Sequence, residues 1–172
     1  MPVLDPPDLR PVSGCSPCSG RGPCSEIPDD HDDNLNERPA TFPAGLPGKN
    51  TIILIAFKRE QQAGLDVWIE QLGLKGTAAP AWIEMPVIND YGSLWRGFVD
   101  NGMRSSIKTT EARSRVFTVY GDRNKFLRDL NLPSAEKVYM FVVRQDGNVL
   151  ARADGNYSVK KAGPLLKAVG LN

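Results

Sequence analysis

Residues 138–153 read Val-Tyr-Met-Phe-Val-Val, Arg-Gln-Asp-Gly-Asn and then Val-Leu-Ala-Arg-Ala, and this stretch decides the fold class. Two runs of strand-forming residues flank Asp146-Gly147, a dipeptide that favours the tight turn of a β-hairpin. The protein is therefore expected to contain a sheet that ends with an antiparallel hairpin.

Upstream of this hairpin, strand and helix patterns alternate along the chain. Residues 51–57 form a continuous apolar run rich in β-branched residues, which is typical of a strand buried on both faces. Apolar residues at helical spacing before Gly73 then predict a helix over 60–72. The same criteria predict a strand at 82–88, a helix carrying Tyr91, Leu94, Trp95, Phe98 and Val99 that ends near Asn101-Gly102, a strand at 116–120, a short helix capped by Asp122, and a final helix capped by Ser158.

This order predicts an α/β protein. Alternating strands and helices imply a central, mainly parallel sheet with helices on both faces, and the closing hairpin makes that sheet mixed. A C-terminal helix completes the domain. Trp68, Trp82 and Trp95 occupy core-like positions in this pattern and are predicted to be buried.

The composition divides the chain near residue 48. Residues 1–48 contain ten of the 14 prolines, one of the 13 aromatic residues, eight acids and three bases, a net charge of −5. Residues 49–172 contain 18 bases and 12 acids, a net charge of +6. A segment so poor in apolar residues cannot offset the entropy of ordering itself, so 1–48 is predicted to be a disordered Pro-rich acidic tail and 49–172 the folded domain.

The tail contains all three cysteines, in a Cys15-x-x-Cys18 motif followed by Cys24. Such a pair supports dithiol exchange or metal binding. His31 could supply a fourth ligand, although the spacing matches no recognised zinc motif. A redox or metal role for these four residues stays open beside a plain flexible tail.

The domain resembles the thioredoxin fold, in the variant found in peroxiredoxins and TlpA-like proteins. The resemblance rests on 116–122, 126–132 and 138–153, which match the order strand, Asp, short helix, strand and Asp-Gly hairpin. It implies that a redox site would lie after the first strand, near residues 61–65, where a helix N-terminus stabilises a thiolate. No cysteine occurs from residue 25 onward, and Ala135-Glu136-Lys137 stands where the fold's cis-proline would be expected. The resemblance therefore predicts a thioredoxin-like domain without a redox cysteine pair.

A second resemblance is to the mitochondrial ATPase assembly factor ten family, a thioredoxin-like group that also lacks the cysteine pair. It rests on Phe57-Lys58-Arg59 after the first strand, on the strand 82–88 and on the hairpin 138–153. It implies an assembly or chaperone role.

Candidate binding residues follow the first strand. In parallel α/β sheets, ligands bind beyond the carboxyl ends of the strands and at helix N-termini. A loop after the second helix is expected to approach the same edge, and the predicted binding site consists of Lys58, Arg59, Gln61, Gln62 and Arg104.

A second candidate surface is basic. Between positions 96 and 128 the chain has eight bases and four acids, which could attract phosphate, nucleic acid or an acidic protein. A solvated face is the more usual explanation of such a run. The bases are Arg96, Arg104, Lys108, Arg113, Arg115, Arg123, Lys125 and Arg128.

Several functional classes are excluded or disfavoured. The only histidine lies in the tail, and the chain contains no Walker loop and no Gly-x-Gly-x-x-Gly motif after a strand. No signal peptide or membrane-spanning run is present, so a cytoplasmic location is expected, and no cofactor is expected. The sequence favours a non-catalytic binding or assembly module with a protein partner over an enzyme. The alternatives are a redox or metal protein using the tail cysteines, and an anion or nucleic-acid binder using the 96–128 face.

Overall fold

The structure is a computed structural model, which describes residues 31–33 and 39–171. Two short strands, β1 (His31–Asp33) and β2 (Pro39–Thr41), pair antiparallel. All other elements belong to a single α/β unit. They are β3 (Asn50–Ala56), a 3₁₀ turn (Arg59–Gln61), α1 (Gln62–Gln71), β4 (Trp82–Asn89), α2 (Ser93–Ser106), α3 (Thr110–Arg113), β5 (Val119–Gly121), α4 (Arg123–Asp129), β6 (Tyr139–Arg144), β7 (Val149–Asp154) and α5 (Val159–Ala168).

A five-stranded mixed sheet in the order β5-β4-β3-β6-β7 organises the domain. The strands β3, β4 and β5 run parallel, whereas β6 pairs antiparallel with both β3 and β7. The central strand β3 is therefore bordered on one side by the parallel half of the sheet and on the other by the hairpin. The predicted mixed sheet and closing hairpin are confirmed.

Alternate residues of β3 pack into two separate cores. On one face, Ile52 and Leu54 pack with Leu65 and Trp68 of α1 and with Leu165 of α5. On the opposite face, Phe126 and Leu130 from the α4 region pack in a second core with alternate residues of β3, β4 and β6. These sheet residues are Ile53, Ile55, Ile83, Met85, Val87, Phe141 and Val143. Helices thus cover both faces, as the sequence predicts.

Local signals fix the element ends that position the site. Gly73 has a φ of 66°, and the amides of Gly73 and Leu74 donate to the carbonyls of Glu70 and Ile69. This is the Schellman arrangement, which ends α1 at the glycine predicted as its stop. Asp122 caps α4 by accepting from the Asn124 amide at 2.8 Å, and Gly147 adopts the positive φ that the hairpin turn requires.

The core also includes residues that precede position 49. Phe42 and Leu46 are 1 % and 3 % exposed and pack in the same core as Phe126. The Phe42 ring meets Phe117 edge to face, and the Gln145 side chain donates to the Leu46 carbonyl at 3.0 Å. The packed region therefore reaches back to Phe42, seven residues before the predicted start of the domain, because the side chains of Phe42 and Leu46 bury their apolar surface in this core.

Helix α2 departs from its prediction in two ways. It runs through Gly102 to Ser106, because Gly102 keeps a helical conformation instead of the positive φ that would end the helix. In addition, none of its residues is buried, and Trp95 is 40 % exposed. The prediction that all three tryptophans are buried is therefore correct for Trp68 and Trp82 and wrong for Trp95. In the part of the chain that the structure describes, no helix has the length and apolar character needed to cross a bilayer.

Candidate functional site

The candidate site lies where β3 ends and the chain turns into α1. After Ala56, the backbone passes through Phe57 and Lys58 into the 3₁₀ turn that leads directly into the helix. The apolar run of β3 stops here because the chain leaves the core, with Phe57 buried and Lys58 exposed. The loop is thus held between a buried strand and a helix N-terminus.

Gln61 organises this loop through three hydrogen bonds. Its Oε1 accepts from the backbone amides of Phe57 and Lys58 at 2.8 and 3.2 Å, and its Nε2 donates to the Ala135 carbonyl at 2.7 Å. Only one orientation of the amide satisfies two N–H donors and one carbonyl acceptor together. The Gln61 side chain therefore connects the end of β3 to the segment before β6.

Lys58 makes a second connection between the same two segments. Its Nζ lies 2.6 Å from the Glu136 carboxylate, in an ion pair whose side chains are 38 % and 71 % exposed. Because the pair faces water, its contribution to stability is below about 1 kcal/mol. Both charges remain accessible to a ligand.

Gln62 contacts acids on the other side of the loop. Its Nε2 donates to Asp66 at 3.2 Å and to Glu84 of β4 at 3.3 Å. Burial raises the pKa of Glu84 above its ordinary value, and the hydrogen bond from Gln62 opposes that rise. Gln62 thus partly compensates a carboxylate held at the margin of the core.

An open groove of about 510 Å³ adjoins the loop on its β6–β7 side. Acidic and basic side chains both line it, and the exposed Lys137 pairs with Asp154 at 2.9 Å. This bond raises the pKa of Lys137 and lowers the pKa of Asp154. The lining residues are Glu60, Gln61, Gly64, Glu136, Lys137, Val138, Asp154, Gly155, Asn156 and Lys161.

Several of these lining residues were not among the predicted site residues. In the sequence, Glu136 and Lys137 stand where a cis-proline would be expected, and no motif surrounds Asp154 or Lys161. The position of the segment before β6, next to the loop after β3, is the signal that could have identified Glu136 and Lys137. Asp154 reaches the groove through the β6–β7 pairing, and Lys161 of α5 reaches it by donating to the carbonyls of Asp154 and Asn156, which local patterns do not reveal.

The predicted site residues are only partly brought together. Lys58, Arg59, Gln61 and Gln62 are consecutive or nearly so, and Arg59 is exposed at the start of the 3₁₀ turn. Arg104 has its described contacts elsewhere: its carbonyl accepts from Arg113 at 2.8 Å, in a helix that lies along the β5 edge. In the sheet, β4 lies between β5 and β3, and Asp100 and Met103 of the same helix contact Tyr120 and Thr118 beside the β5 edge.

The basic 96–128 run is largely paired. Arg96 pairs with Asp90, Arg115 with Glu111 and Lys125 with Asp129, and the Arg113 guanidinium donates to the carbonyls of Arg104 and Ile107. These pairs reduce the field that the run would otherwise present to an anionic partner.

The predicted redox or metal site in the tail lies outside the part of the chain whose side chains the structure describes. Cys15, Cys18 and Cys24 precede the described residues, and His31 lies in β1, where only the backbone is described. Among the described residues, no group of three or more His, Cys, Asp or Glu side chains could hold a metal ion.

The topology, the two-sided core and the site at the end of the first central strand define a thioredoxin-like α/β protein. The comparison with solved structures supports this class. A putative electron transfer protein from Aquifex aeolicus VF5 is 13 % identical, with a TM-score of 0.53 over 87 % of this chain and 95 % of that chain. A putative thiol:disulfide interchange protein DsbE from Chlorobium tepidum is 13 % identical, with a TM-score of 0.52 over 84 % and 96 %.

BsSco, a member of the Sco family of cytochrome c oxidase assembly proteins, is 11 % identical, with a TM-score of 0.53 over 83 % and 91 % of the two chains. No protein-family model and no curated protein matches the chain. At these identities the similarity establishes the thioredoxin-like fold alone, and the predicted fold is confirmed.

Proposed function

We propose that this protein is a non-catalytic thioredoxin-fold module that binds another protein at the loop after β3, in a binding or assembly role. The binding surface would consist of Lys58 and Arg59 together with the adjoining groove. Gln61 and Gln62 would hold that surface in shape.

The observation that carries the proposal is the position of Gln61. The resemblance to thioredoxin-like proteins would put their redox cysteines at this loop and their cis-proline in the segment before β6, and Gln61 donates to Ala135 in that segment. One glutamine side chain thus joins the two segments that would form a redox site in those proteins. An amide whose oxygen and nitrogen are already bonded to backbone groups builds a loop and offers no thiol chemistry.

The groove supports a protein as the ligand. Its carboxylates, amines and amides can each meet a different group of a polypeptide, whereas a groove for phosphate would be uniformly basic. The accessible Lys58–Glu136 pair can exchange partners with a bound chain at little cost, because the pair is exposed.

The comparisons are compatible with an assembly role. BsSco belongs to a family of assembly proteins, so a thioredoxin-like structure is used for assembly in at least one neighbour. The resemblance of Phe57-Lys58-Arg59 to the ATPase assembly factor family agrees with this role and stays a prediction.

The experiment is quantitative capture of partners by the full chain carrying an affinity tag. Wild type is compared with Lys58→Ala/Arg59→Ala and with Lys160→Ala/Lys167→Ala, a control that removes two exposed bases from α5. We expect a set of proteins that wild type and the control retain and that the loop variant loses. A captured set that is the same for all three chains would contradict the proposed surface.

A further inference from the structure

Helix α2, together with Tyr91 two residues before it, presents large apolar side chains to solvent. Tyr91, Leu94, Trp95 and Phe98 are 71, 92, 40 and 72 % exposed, and we refer to these four residues as the outer face. They recur at helical spacing, and the ring centroids of Tyr91–Trp95 and Trp95–Phe98 lie 5.8 and 5.9 Å apart. They therefore form one continuous apolar surface instead of scattered exposed residues.

Polar contacts on the opposite side of the helix hold this orientation. The Tyr120 hydroxyl donates to Asp100 at 2.6 Å, and the Arg96 guanidinium lies 5.3 Å from the centre of the Tyr120 ring. The Thr118 hydroxyl is 3.8 Å from the Met103 sulfur. Charged side chains of α2 thus face the sheet edge while its large apolar side chains face outward. These contacts fix the orientation of the helix and keep the outer face exposed.

The charges around the outer face favour an anionic surface. Bases outnumber acids along this helix, since residues 91–108 contain Arg96, Arg104 and Lys108 and a single acid, Asp100. The Asp100 carboxylate accepts from the Tyr120 hydroxyl on the side that meets the sheet edge. Lys108 is exposed two residues past the end of α2.

We propose that the outer face docks the protein on a lipid bilayer that contains anionic headgroups. An amphipathic helix with Leu, Phe and Trp on one side and basic residues nearby lies in the plane of a membrane interface, with its apolar side among the acyl chains. Tyrosine and tryptophan are the aromatic residues that membrane interfaces favour. A bilayer also accepts four projecting side chains without the complementary pocket that a protein partner would need. This site is separate from the loop after β3 and does not rest on the function proposed for that loop.

The test is a vesicle-binding measurement on the full chain. Trp68 and Trp82 are buried, so Trp95 is the tryptophan that reports a change of surroundings. On adding vesicles of mixed phosphatidylglycerol and phosphatidylcholine, we expect the emission to shift to shorter wavelength and quenching by iodide to fall. Binding to phosphatidylcholine alone should be about tenfold weaker or more, and added salt should weaken binding to the mixed vesicles.

Matched variants distinguish binding through the outer face from nonspecific adsorption of exposed apolar residues. Leu94→Ser/Phe98→Ser should weaken co-sedimentation with the mixed vesicles by about tenfold or more, because each residue loses apolar burial. Leu150→Ser/Val159→Ser removes two exposed apolar residues elsewhere and should leave co-sedimentation unchanged. Both double variants should unfold at the wild-type urea concentration, since the four positions are exposed.

Three results would overturn the proposal. The first is no association with the mixed vesicles, and the second is equal association of both double variants. The third is a wild-type chain that dimerises in sedimentation velocity and becomes monomeric with Leu94→Ser/Phe98→Ser, which would assign the outer face to a second copy.

Discussion

Helices α1 and α2 each follow a parallel strand and show the same apolar spacing, yet they use it in opposite ways. In α1, Leu65, Trp68 and Ile69 are buried against the sheet. In α2, Leu94, Trp95 and Phe98 face outward and no residue is buried. Hydrophobic periodicity thus establishes that a helix has an apolar side, but it does not say which way that side points.

The difference comes from what lies beside each helix. Helix α1 crosses the central strands, and the Trp68 Nε1 donates to the Gly155 carbonyl at 2.9 Å while its ring packs against Tyr157. Helix α2 lies at the β5 edge, where Tyr120 and Thr118 offer polar groups. A helix meets the sheet with the side that matches its neighbours, so one helix stabilises the core and the other presents a surface.

The largest expected effect tests this comparison with a pair of tryptophans. Trp68→Ala should lower the free energy of unfolding by about 3–5 kcal/mol, because it opens a cavity in the core. Trp95→Ala should lower it by about 1 kcal/mol or less, since Trp95 is 40 % exposed and its ring contacts are with the exposed Tyr91 and Phe98. Urea unfolding of both variants measures the two values, and a loss from Trp95→Ala as large as that from Trp68→Ala would show that α2 packs by its apolar side.

A smaller effect is expected within the candidate site, where Gln61 and Gln62 are adjacent. Gln61→Ala leaves the Phe57 amide and the Ala135 carbonyl without their partner and should cost about 1–3 kcal/mol. Gln62→Ala removes only exposed hydrogen bonds and should cost less than about 0.5 kcal/mol. Equal losses in urea unfolding would mean that Gln61 does not join the two segments.

The anchoring of α2 can be broken without touching its outer face. Tyr120→Phe removes the hydroxyl that donates to Asp100 and should lower the free energy of unfolding by about 0.5–1.5 kcal/mol. Amide hydrogen exchange should speed up in Ser93–Ser106 and stay unchanged in α1. Faster exchange in both helices would show that α2 is not held by this local contact.

The smallest effects are expected with pH, and the two regions should respond with opposite signs. Burial raises the pKa of the Glu84 carboxyl, beside α1, above its ordinary value of 4.5. The protonated carboxyl therefore stabilises the fold fully below pH 4.5, and this stabilisation is lost as the pH rises through the pKa of the folded state. The hydrogen bond from Arg96 lowers the pKa of Asp90, beside α2, to about 2. The ionised Asp90 carboxylate therefore stabilises the fold above its ordinary pKa of 3.8, and this stabilisation is lost as the pH falls toward 2.

Urea midpoints across this pH range check both signs. Glu84→Gln should remove a loss of stability that sets in above pH 4.5, and Asp90→Asn should remove one that sets in below pH 3.8. A variant that leaves the pH profile unchanged would show that its group does not contribute.

Local chemistry made much of the fold predictable. The Asp146-Gly147 turn, the Asp122 cap and the Gly73 stop each depend on a few neighbouring residues, and all three lie as predicted. The candidate loop at 58–62 was predictable because it follows a buried strand. The position of Arg104 depends on how α2 lies against β5, and the burial of Phe42 depends on Phe117, far along the chain, so local patterns could predict neither.

Insulin-disulfide reduction by the full chain tests most directly whether the site after β3 is a binding loop without thiol chemistry. Wild type is compared with Cys15→Ser/Cys18→Ser/Cys24→Ser, which removes every thiol in the protein. We predict that both chains leave the reduction rate at its uncatalysed value, because no cysteine follows residue 24 and the proposed function assigns the loop at Gln61 to binding. Catalysed reduction by wild type that disappears in the variant would contradict this account and assign the chemistry to the tail cysteines.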